Sequence, residues 1–546
     1  MRSDAARRSV RRRGPGARAD ARRGDCGQGT ADARTSPRDL SRRSASHGAG
    51  ETAHHPASAG DRGRGIVKAA LILGTQLFAA HPAYAEDDID VFFFIEARSS
   101  FVKRRYHAHK RVLILAGMRQ ASSRLEADGR TVRRVPLGEG SGFADALRRL
   151  IREFGVDGLA WMSATDRGVD GRIRRICDDE GIATRVYDDA LFLTPAEEVD
   201  RWFAEHEGAR MEDFYRWQRR RTGILMDGGK PAGRRWNFDA ENREPLPKGG
   251  VEIPPLPIGP ADEATAGAIE DVGRHFPDAP GDPTEFWLPV TPETSRSWLN
   301  AFVTERLASF GRYEDAMDAD EAFLFHGVLS PLLNVGLLTV DEVVRAAVGR
   351  RDEVPLASLE GFVRQVIGWR EYMRGAYRAW PELMHANHFA LRRSLEDWWY
   401  TGEGVPEDLP VPVRTVLARV IRHGYAHHIE RLMVLGNWFL LQGYDPREVY
   451  EWFSSLFVDA YEWVMVPNVQ GMSQYADGGR VATKPYISGG AYLQRMGSWW
   501  SSDKAARDSA FTDAYWTFLD EHEDQLTGNP RLNMPLAQMR KRRASG

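Results

Sequence analysis

The hydrophobic pattern between residues 66 and 195 alternates short apolar runs with amphipathic ones. Five runs have the length and the β-branched or aromatic content of strands: AALILG, DVFFFIEA, TVRRVPL, GLAWMSA and ATRVYDD. Between them, AHKRVLILAGMRQASSRLEADG and FADALRRLIREFG repeat apolar residues at helical spacing. Strands that alternate with helices predict an α/β domain with a doubly wound parallel sheet over residues 66–195.

The first apolar run, IVKAALILGTQLFAAHPAYAEDD, also resembles a signal peptide, with a basic lead and an AYA site. However, Gly74, Gln76 and Pro82 interrupt the run, and the apolar IDVFFFIEA follows at once. We therefore interpret it as strand, loop and strand. The carboxyl ends of these strands, at 74–77 and 96–100, are predicted to form a ligand crevice.

The rest of the chain divides into a connection and a helical region. Residues 196–294 include the basic, aromatic RMEDFYRWQRRRTG and the proline-rich VEIPPLPIGP, and they are predicted to be a linker. From 295 to 543 the pattern is helical almost throughout, as in LEGFVRQVIGWREYMRGAYRAW. The prediction is therefore an α/β domain, a linker and a large all-α domain.

Composition sets residues 1–65 apart. They contain fifteen Arg, no Lys, no aromatic residue and seven Asp or Glu, so they carry about +8, while the whole chain carries −3. Such a segment cannot bury a core and is predicted to be disordered. It is either a nucleic-acid-binding arm or GC-rich sequence read upstream of the true start, and the absence of Lys and aromatics favours the latter.

Only two cysteines occur, Cys26 and Cys177, so neither a disulfide framework nor a cysteine-ligated cluster can be built. No apolar run reaches the length of a membrane span. We expect a cytoplasmic monomer.

Two adjacent histidines stand out in GYAHHIERLMV, residues 424–434. On a helical wheel begun at Ile421, His428 falls in the apolar stripe and His427 on the opposite side, beside His423 and Glu430. Those three polar residues are either a metal site or a solvated face, and the lack of HExxH favours the face. His428 is either a core histidine or an active-site acid.

Several longer motifs resemble the photolyase and cryptochrome family, specifically its bacterial iron–sulfur branch, which includes (6-4) photolyases. They are MDGGKPAGRRWNFDAENR, FVRQVIGWREYMRG, YAHHIERLMVLGN, DAYEWVMVPNVQGMSQYADGG, ATKPYISGGAYLQRM and GNPRLNMPLAQMRK. With LGTQLF and HAHKRVLILAGMR near the amino terminus, the resemblance runs from about 66 to 543.

The resemblance implies an α/β antenna domain, a helical domain that holds FAD, and an inter-domain loop near DNA. It also implies light-driven repair of UV-damaged DNA, in which a lesion is flipped into the flavin pocket and receives an electron. A cryptochrome-like photoreceptor that binds FAD without repair is the alternative, and a flavoprotein whose repair chemistry has decayed is a third possibility.

Residue by residue, the resemblance assigns His428 as the acid that protonates a (6-4) lesion, with His427 beside the substrate and Tyr486 lining the lesion pocket. It assigns Arg431 and Asp459 as a charged pair beside the flavin. The other flavin-contacting positions are Ser330, Asn334, Gln365, Trp369, Arg370 and Tyr372.

The sequence departs from this branch in its cluster and in its redox residues. In this branch, two segments normally carry the four cysteine ligands of a [4Fe-4S] cluster. The equivalent segments here, 398–416 and 496–511, contain no cysteine, so no cluster is expected. Packing that includes Trp499 and Trp500 is expected in its place. Met465 replaces an acidic residue near flavin N5, and Phe453 replaces a frequent tyrosine.

Electron transfer is expected to involve Trp452 and, in a second region, Trp399 and Tyr400, which follow Trp398. Many relatives hold a lumazine antenna (6,7-dimethyl-8-ribityllumazine) in the amino-terminal domain. Glu96 occupies the position expected to contact it, although carboxylates are common at strand ends in any such sheet.

Overall fold

A computed structural model describes residues 66–139, 142–208 and 210–545, so the predicted disordered segment 1–65 lies outside the described residues. The amino-terminal part contains a five-stranded parallel sheet of order β3-β2-β1-β4-β5. Its strands are β1 Lys68–Leu71, β2 Val91–Ile95, β3 Val132–Val135, β4 Gly158–Met162 and β5 Ala183–Tyr187. All five correspond to the predicted apolar runs, which confirms the α/β fold and the strand–loop–strand interpretation.

Helices cover both faces of this sheet, which explains why its central strands are continuous apolar runs. In β2, Phe92, Phe93 and Phe94 have no exposed surface. The covering helices are α1 Arg98–Phe101, α2 Ala108–Ala127, α3 Phe143–Phe154 and α4 Val169–Glu180.

The segment predicted to be a linker holds packed helices, namely α5 Ala196–Glu205, α6 Met211–Thr222 and α7 Glu263–His275, and a short hairpin of β6 Met226–Asp227 and β7 Lys230–Pro231. In α7, Ala268 and Val272 are fully buried, and Asp271 accepts a hydrogen bond from Arg119 of α2 at 2.6 Å. This segment is therefore more than a connection, because its amphipathic helices bury apolar faces against the neighbouring elements.

The carboxy-terminal part is helical, as predicted. Its α-helices are α8 Pro292–Ala301, α9 Leu307–Tyr313, α10 Ser330–Asn334, α11 Val340–Val348, α12 Leu356–Val363, α13 Arg370–Ala379, α14 Trp398–Thr401, α15 Val411–His423, α16 Asn437–Leu441, α17 Pro446–Leu456, α18 Glu462–Val466, α19 Gly490–Gly497, α20 Asp503–Arg507, α21 Ala510–Glu521, α22 Glu523–Leu526 and α23 Asn533–Ser545. Four π-helical turns join them, at Phe302–Arg306, Arg364–Trp369, Glu430–Gly436 and Pro467–Ser473. Across the described ranges, no helix is both long and apolar enough to span a membrane.

The helix that carries the two histidines is interrupted, and a single helical wheel across them was therefore wrong. Helix α15 ends at His423, and Gly424 adopts a left-handed backbone with φ of 63°. Helical structure resumes only after His427. A Cβ atom at Gly424 would lie 2.8 Å from Val458 Cγ1 and 2.9 Å from His107 Nδ1, so the position requires glycine.

We predict that Gly424→Ala lowers the free energy of unfolding by more than the about 1–2 kcal/mol that a left-handed backbone alone costs, because the added methyl group also clashes. Gly404→Ala is the matched control, since Gly404 has φ of 70° and open space around its Cβ position. Urea denaturation of both variants measures the difference. Equal losses at the two positions would contradict the prediction.

Candidate active site

A bidentate ion pair joins two segments that are distant in the sequence. Arg431 Nη1 and Nη2 donate to Asp459 Oδ1 and Oδ2 at 2.9 and 3.0 Å. The Arg431 side chain is 15 % exposed and that of Asp459 is 5 % exposed, so both charges are largely withdrawn from water. Arg431 Nε also donates to the Ala426 carbonyl at 2.6 Å, which anchors the turn containing both histidines.

Three further predicted residues join this pair. Ser330 Oγ donates to Asp459 Oδ2 at 2.6 Å, and Asn334 Nδ2 donates to the Asp459 carbonyl at 2.9 Å. Arg370 Nη2 in turn donates to Asn334 Oδ1 at 3.0 Å. The structure thus brings Ser330, Asn334, Arg370, Arg431 and Asp459 into one hydrogen-bonded network.

Arg370 also has one hydrogen-bond donor that this network does not use. Its Nη1 is buried and has no protein partner, and burial lowers the pKa of Arg370 to about 10. The guanidinium lies over the rings of Phe192 and Trp463, at 4.4 and 4.9 Å. A buried cationic donor without a partner is costly, so this atom fits a polar group of a bound cofactor.

The remaining predicted flavin contacts fall into two groups. Gln365 and Trp369 lie half-buried on the π-helical turn before Arg370, and Met465 is buried on α18. Tyr372 is fully buried, and its ring packs on Phe203 at a centroid distance of 5.4 Å and on Trp369 at 6.2 Å. Its contact with the flavin stays a prediction.

His428 is exposed, whereas its chain neighbours Ala426 and His427 are buried. The surrounding protein nevertheless desolvates the ring, and this effect, with the charges of Arg431 and Arg243, lowers the pKa of His428 to about 4. We call the surroundings of this exposed side chain, which include the charges of Arg431 and Arg243, the recess. Arg243 also acts on half-buried Tyr486, whose pKa is raised by burial and partly lowered again by that charge.

Arg243 was not singled out in the sequence, although it ends the quoted motif NFDAENR. It adopts a left-handed backbone with φ of 70°, and its side chain forms ion pairs with Glu314 at 3.1 Å and Asp239 at 3.4 Å. The pair with Glu314 leaves no periodic signal in the sequence, because it depends on where the loop folds back.

His427, which was predicted to lie beside the substrate, is buried, unlike its chain neighbour His428. It has no exposed surface, and its ring stacks on His326 with centroids 4.4 Å apart. Its Nε2 lies 3.6 Å from Glu430 Oε1, and Glu430 is itself bound by Arg419. The interruption at Gly424 turns the two histidines in different directions.

The alternative metal face is also absent, since His423 precedes the interruption. Its carbonyl accepts hydrogen bonds from His109 Nδ1 at 3.3 Å and Trp287 Nε1 at 3.2 Å, and its ring packs on Phe323. Within the described ranges, no three His, Cys, Asp or Glu side chains are arranged to hold a metal ion.

A series of aromatic rings in contact with one another begins beside the ion pair. Arg431 lies over Phe457 at 4.4 Å, and Phe457 contacts Trp452 at a centroid distance of 5.8 Å. Trp452 is 6.1 Å from Trp399, and Trp399 stacks on Trp398 at 4.2 Å. Both predicted relay tryptophans thus lie on one path.

Tyr400 lies beside this path, under the guanidinium of Arg105 at 5.2 Å. Of the two tryptophans expected in place of a cluster, Trp499 is buried with its ring under Arg419, while Trp500 is half-buried and hydrogen-bonded to Gln494.

Glu96, the predicted antenna contact, is fully engaged by protein. Its Oε1 accepts from Arg119 Nε at 3.1 Å and Arg134 Nη1 at 2.9 Å. Its Oε2 accepts from Arg119 Nη2 at 2.8 Å and the Leu137 amide at 3.0 Å. A carboxylate offers about four acceptor positions, so a ligand would have to displace one of these donors.

Comparisons with known proteins agree with this arrangement. Residues 70–288 match the family model described as "Deoxyribodipyrimidine photo-lyase-related protein". The chain is 37% identical over 484 residues to the (6-4) photolyase of Agrobacterium fabrum, covering 86% of this chain and 94% of that protein.

Solved structures with the same fold include a bacterial class III photolyase from Agrobacterium tumefaciens, with a TM-score of 0.51 and 17% identity over 88% of this chain and 93% of that one. An archaeal photolyase from Sulfolobus tokodaii, solved with two FAD molecules, has a TM-score of 0.54 and 14% identity over 84% of this chain and 100% of that one. The long match to the bacterial (6-4) photolyase, with the α/β and helical parts in the expected order, establishes that this chain belongs to the photolyase and cryptochrome family.

Proposed function

We propose that this protein is a light-dependent DNA repair flavoprotein, a photolyase of (6-4) type, with FAD as its cofactor and UV-damaged DNA as its substrate. The observation that carries the proposal is the placement of an accessible His428 next to the buried Arg431–Asp459 pair. A signalling flavoprotein needs the ion pair but has no use for an acid in an open recess. The 37% identity to a (6-4) photolyase supports the same lesion class.

The residues fit FAD. Asp459 offers acceptors for flavin N–H groups while Arg431 offsets its charge, and Arg370 Nη1 is a buried donor without a protein partner. Ser330 and Asn334 orient Asp459 from the opposite side, and Gln365, Trp369 and Met465 complete the lining. Bound and reduced, FAD would supply the photoexcited electron for the lesion.

His428 would supply the proton. In the free protein desolvation by the surrounding protein, and secondly the guanidinium groups of Arg431 and Arg243, oppose its protonation. Phosphates of bound DNA would offset the two arginine charges and so raise the pKa of His428. Tyr486, coupled to the same Arg243 charge, would line the lesion pocket.

DNA would lie along the loop that follows α6. Arg220 and Arg221 in the last turn of α6 and Arg234 and Arg235 in the segment after it are exposed and provide a local basic strip for phosphates. Arg219, which looked equivalent in the sequence, is fully buried and donates to the carbonyls of Trp236 and Leu225, so it supports the strip from within.

The cluster and antenna proposals follow from residue chemistry. Two cysteines cannot ligate a [4Fe-4S] cluster, so we expect none, and Trp499 of the second ligand segment packs under Arg419. A lumazine antenna would require rearrangement around Glu96. The cryptochrome-like photoreceptor remains the second candidate, because the Trp452–Trp399 path serves either function.

We predict that His428→Gln abolishes repair of (6-4) photoproducts while FAD stays bound, since the amide keeps a polar side chain but cannot act as an acid. The measurement is repair of (6-4) and cyclobutane lesions by photoreduced protein under blue light. Wild-type repair should fall as pH rises, because the protonated imidazole is lost. Undiminished repair by His428→Gln would remove His428 from the mechanism, and FAD spectra without any wild-type repair would favour the photoreceptor.

We predict that Asp459→Asn weakens FAD binding by about tenfold or more, because a charged hydrogen bond contributes about 1.5–3 kcal/mol and Arg431 loses its counter-charge. The dissociation constant for FAD measures the loss. Asp227→Asn is the control, since Asp227 makes a similar bidentate pair with Arg351 at the surface. Equal affinities for the two variants would show that the Asp459 carboxylate does not hold the cofactor.

We predict that Trp452→Phe slows the blue-light bleaching of oxidised FAD in the presence of an external reductant, because the path from Phe457 to Trp399 loses its central indole. Trp161→Phe is the control, since Trp161 is equally buried but lies in the α/β sheet. Normal bleaching in Trp452→Phe would place the electron path elsewhere.

A further inference from the structure

A tyrosine hydrogen-bonded to a carboxylate adjoins the tryptophan path. Tyr444, between α16 and α17, is 1% exposed. Its phenol oxygen accepts a hydrogen bond from Trp399 Nε1 at 3.2 Å and donates to Glu396 Oε2 at 2.6 Å. The phenol therefore connects a relay tryptophan directly to a proton acceptor.

Arg393 holds this arrangement in place. Its guanidinium lies 4.4 Å from the Tyr444 ring centroid, and its Nη2 donates to Glu396 Oε1 at 2.7 Å. Its backbone amide donates to the Gly443 carbonyl at 3.0 Å, and its carbonyl accepts from the Asp445 amide at 2.8 Å. Both sides of Tyr444 are thus fixed against the strand-like segment at 393.

The protonation states suit a coupled transfer. Burial would raise the pKa of Glu396, but hydrogen bonds from Tyr444 and Arg393 outweigh it and hold that pKa below its usual range. Burial and the bond to Glu396 raise the pKa of Tyr444. At neutral pH the pair is therefore a neutral phenol and an ionised carboxylate.

We propose that Tyr444 is the terminal electron donor of the tryptophan path and that Glu396 is the base that accepts its proton. This inference rests on the proposed function only in requiring light-driven oxidation of Trp452 and Trp399. The oxidant of Tyr444 is the Trp399 radical cation. One electron passes from the phenol to Trp399, and the phenolic proton moves to Glu396 Oε2.

The charges balance in this step. Before it, Trp399 carries one positive charge and Glu396 one negative charge; after it, Trp399, the tyrosyl radical and the glutamic acid are all neutral. Because a phenol radical cation is a very strong acid, the short bond to a carboxylate makes oxidation of Tyr444 easier than that of a phenol without a base. Because all the products are neutral, no electrostatic attraction between them favours return of the electron.

Other nearby aromatic residues lack this combination. Trp398 stacks on Trp399, but no carboxylate among the described residues accepts a hydrogen bond from its indole. Tyr400 lies under Arg105 much as Tyr444 lies under Arg393, but among the described residues its phenol donates to no carboxylate. Tyr215 and Tyr377 do donate to glutamates, at 2.8 and 2.6 Å, but neither contacts the tryptophan path.

The test is electron paramagnetic resonance and transient absorption of the FAD-loaded protein under blue light, which requires no DNA repair. The wild-type protein is expected to form a neutral tyrosyl radical, and Tyr444→Phe is expected to form a shorter-lived tryptophan radical instead. Tyr215→Phe is the matched control, because it removes a buried phenol bonded to Glu360 and should leave the tyrosyl signal intact.

Glu396→Gln provides a second variant that keeps the side-chain shape. It is expected to reduce the tyrosyl yield several-fold and to abolish the solvent deuterium effect on tyrosyl formation, which a purely structural role would not do. A tyrosyl signal that persists in Tyr444→Phe, or a wild-type protein that forms only tryptophan radicals, would overturn the proposal.

The Trp452→Phe variant tests the tryptophan path separately from the role of Tyr444. If it loses photoreduction while Tyr444→Phe keeps its tyrosyl radical, the tryptophan path stands and the role of Tyr444 is refuted. If it keeps both photoreduction and the tyrosyl radical, the path through Trp452 fails and the role of Tyr444 fails with it. Repair of damaged DNA bears on neither result.

Discussion

The buried ion pair between Arg431 and Asp459 is the interaction on which the rest of the site depends. It joins the histidine segment to the loop before α18, and its charges are costly to bury unless each remains paired and hydrogen-bonded. Ser330 donates to the Asp459 carboxylate, Asn334 donates to the Asp459 backbone carbonyl, and the Ala426 carbonyl accepts from Arg431 Nε. The geometry of the pair therefore determines where residues 425–430 lie, and with them His428.

The break at Gly424 assigns different environments to adjacent side chains. A continuous helix would hold His423 and His427 on one face, whereas the left-handed glycine places His427 in the interior and His428 in the recess. The π-helical turn Glu430–Gly436 follows at once, and such turns often occur at functional sites because they redirect side chains. Backbone irregularity is concentrated where the predicted chemistry lies.

The sequence predicted the sheet well, because each strand is a local run of apolar residues with a clear boundary. It predicted the order of the α/β part and the helical part for the same reason. The wheel failed at Gly424 because a positive φ leaves no periodic signal. The hydrogen bonds that Glu96 accepts from Arg119 and Arg134 could not be predicted from the sequence either, because they depend on the lateral pairing of β2 with β3. The link between Arg431 and Asp459 came from motif resemblance and not from periodicity.

Residues 425–441 carry both charge and aromatic packing, at different places along the segment. His428 opens to the recess at the beginning of the segment, whereas Phe439 near its end packs on Trp399 and Trp452, at centroid distances of 4.5 and 5.1 Å. Arg431 lies between them, over Phe457, the first ring of the path. If His428 and the indoles act as proposed, the proton donor and the electron path therefore lie at the two ends of one segment. Arg431, held by Asp459, fixes the position of both relative to the ion pair.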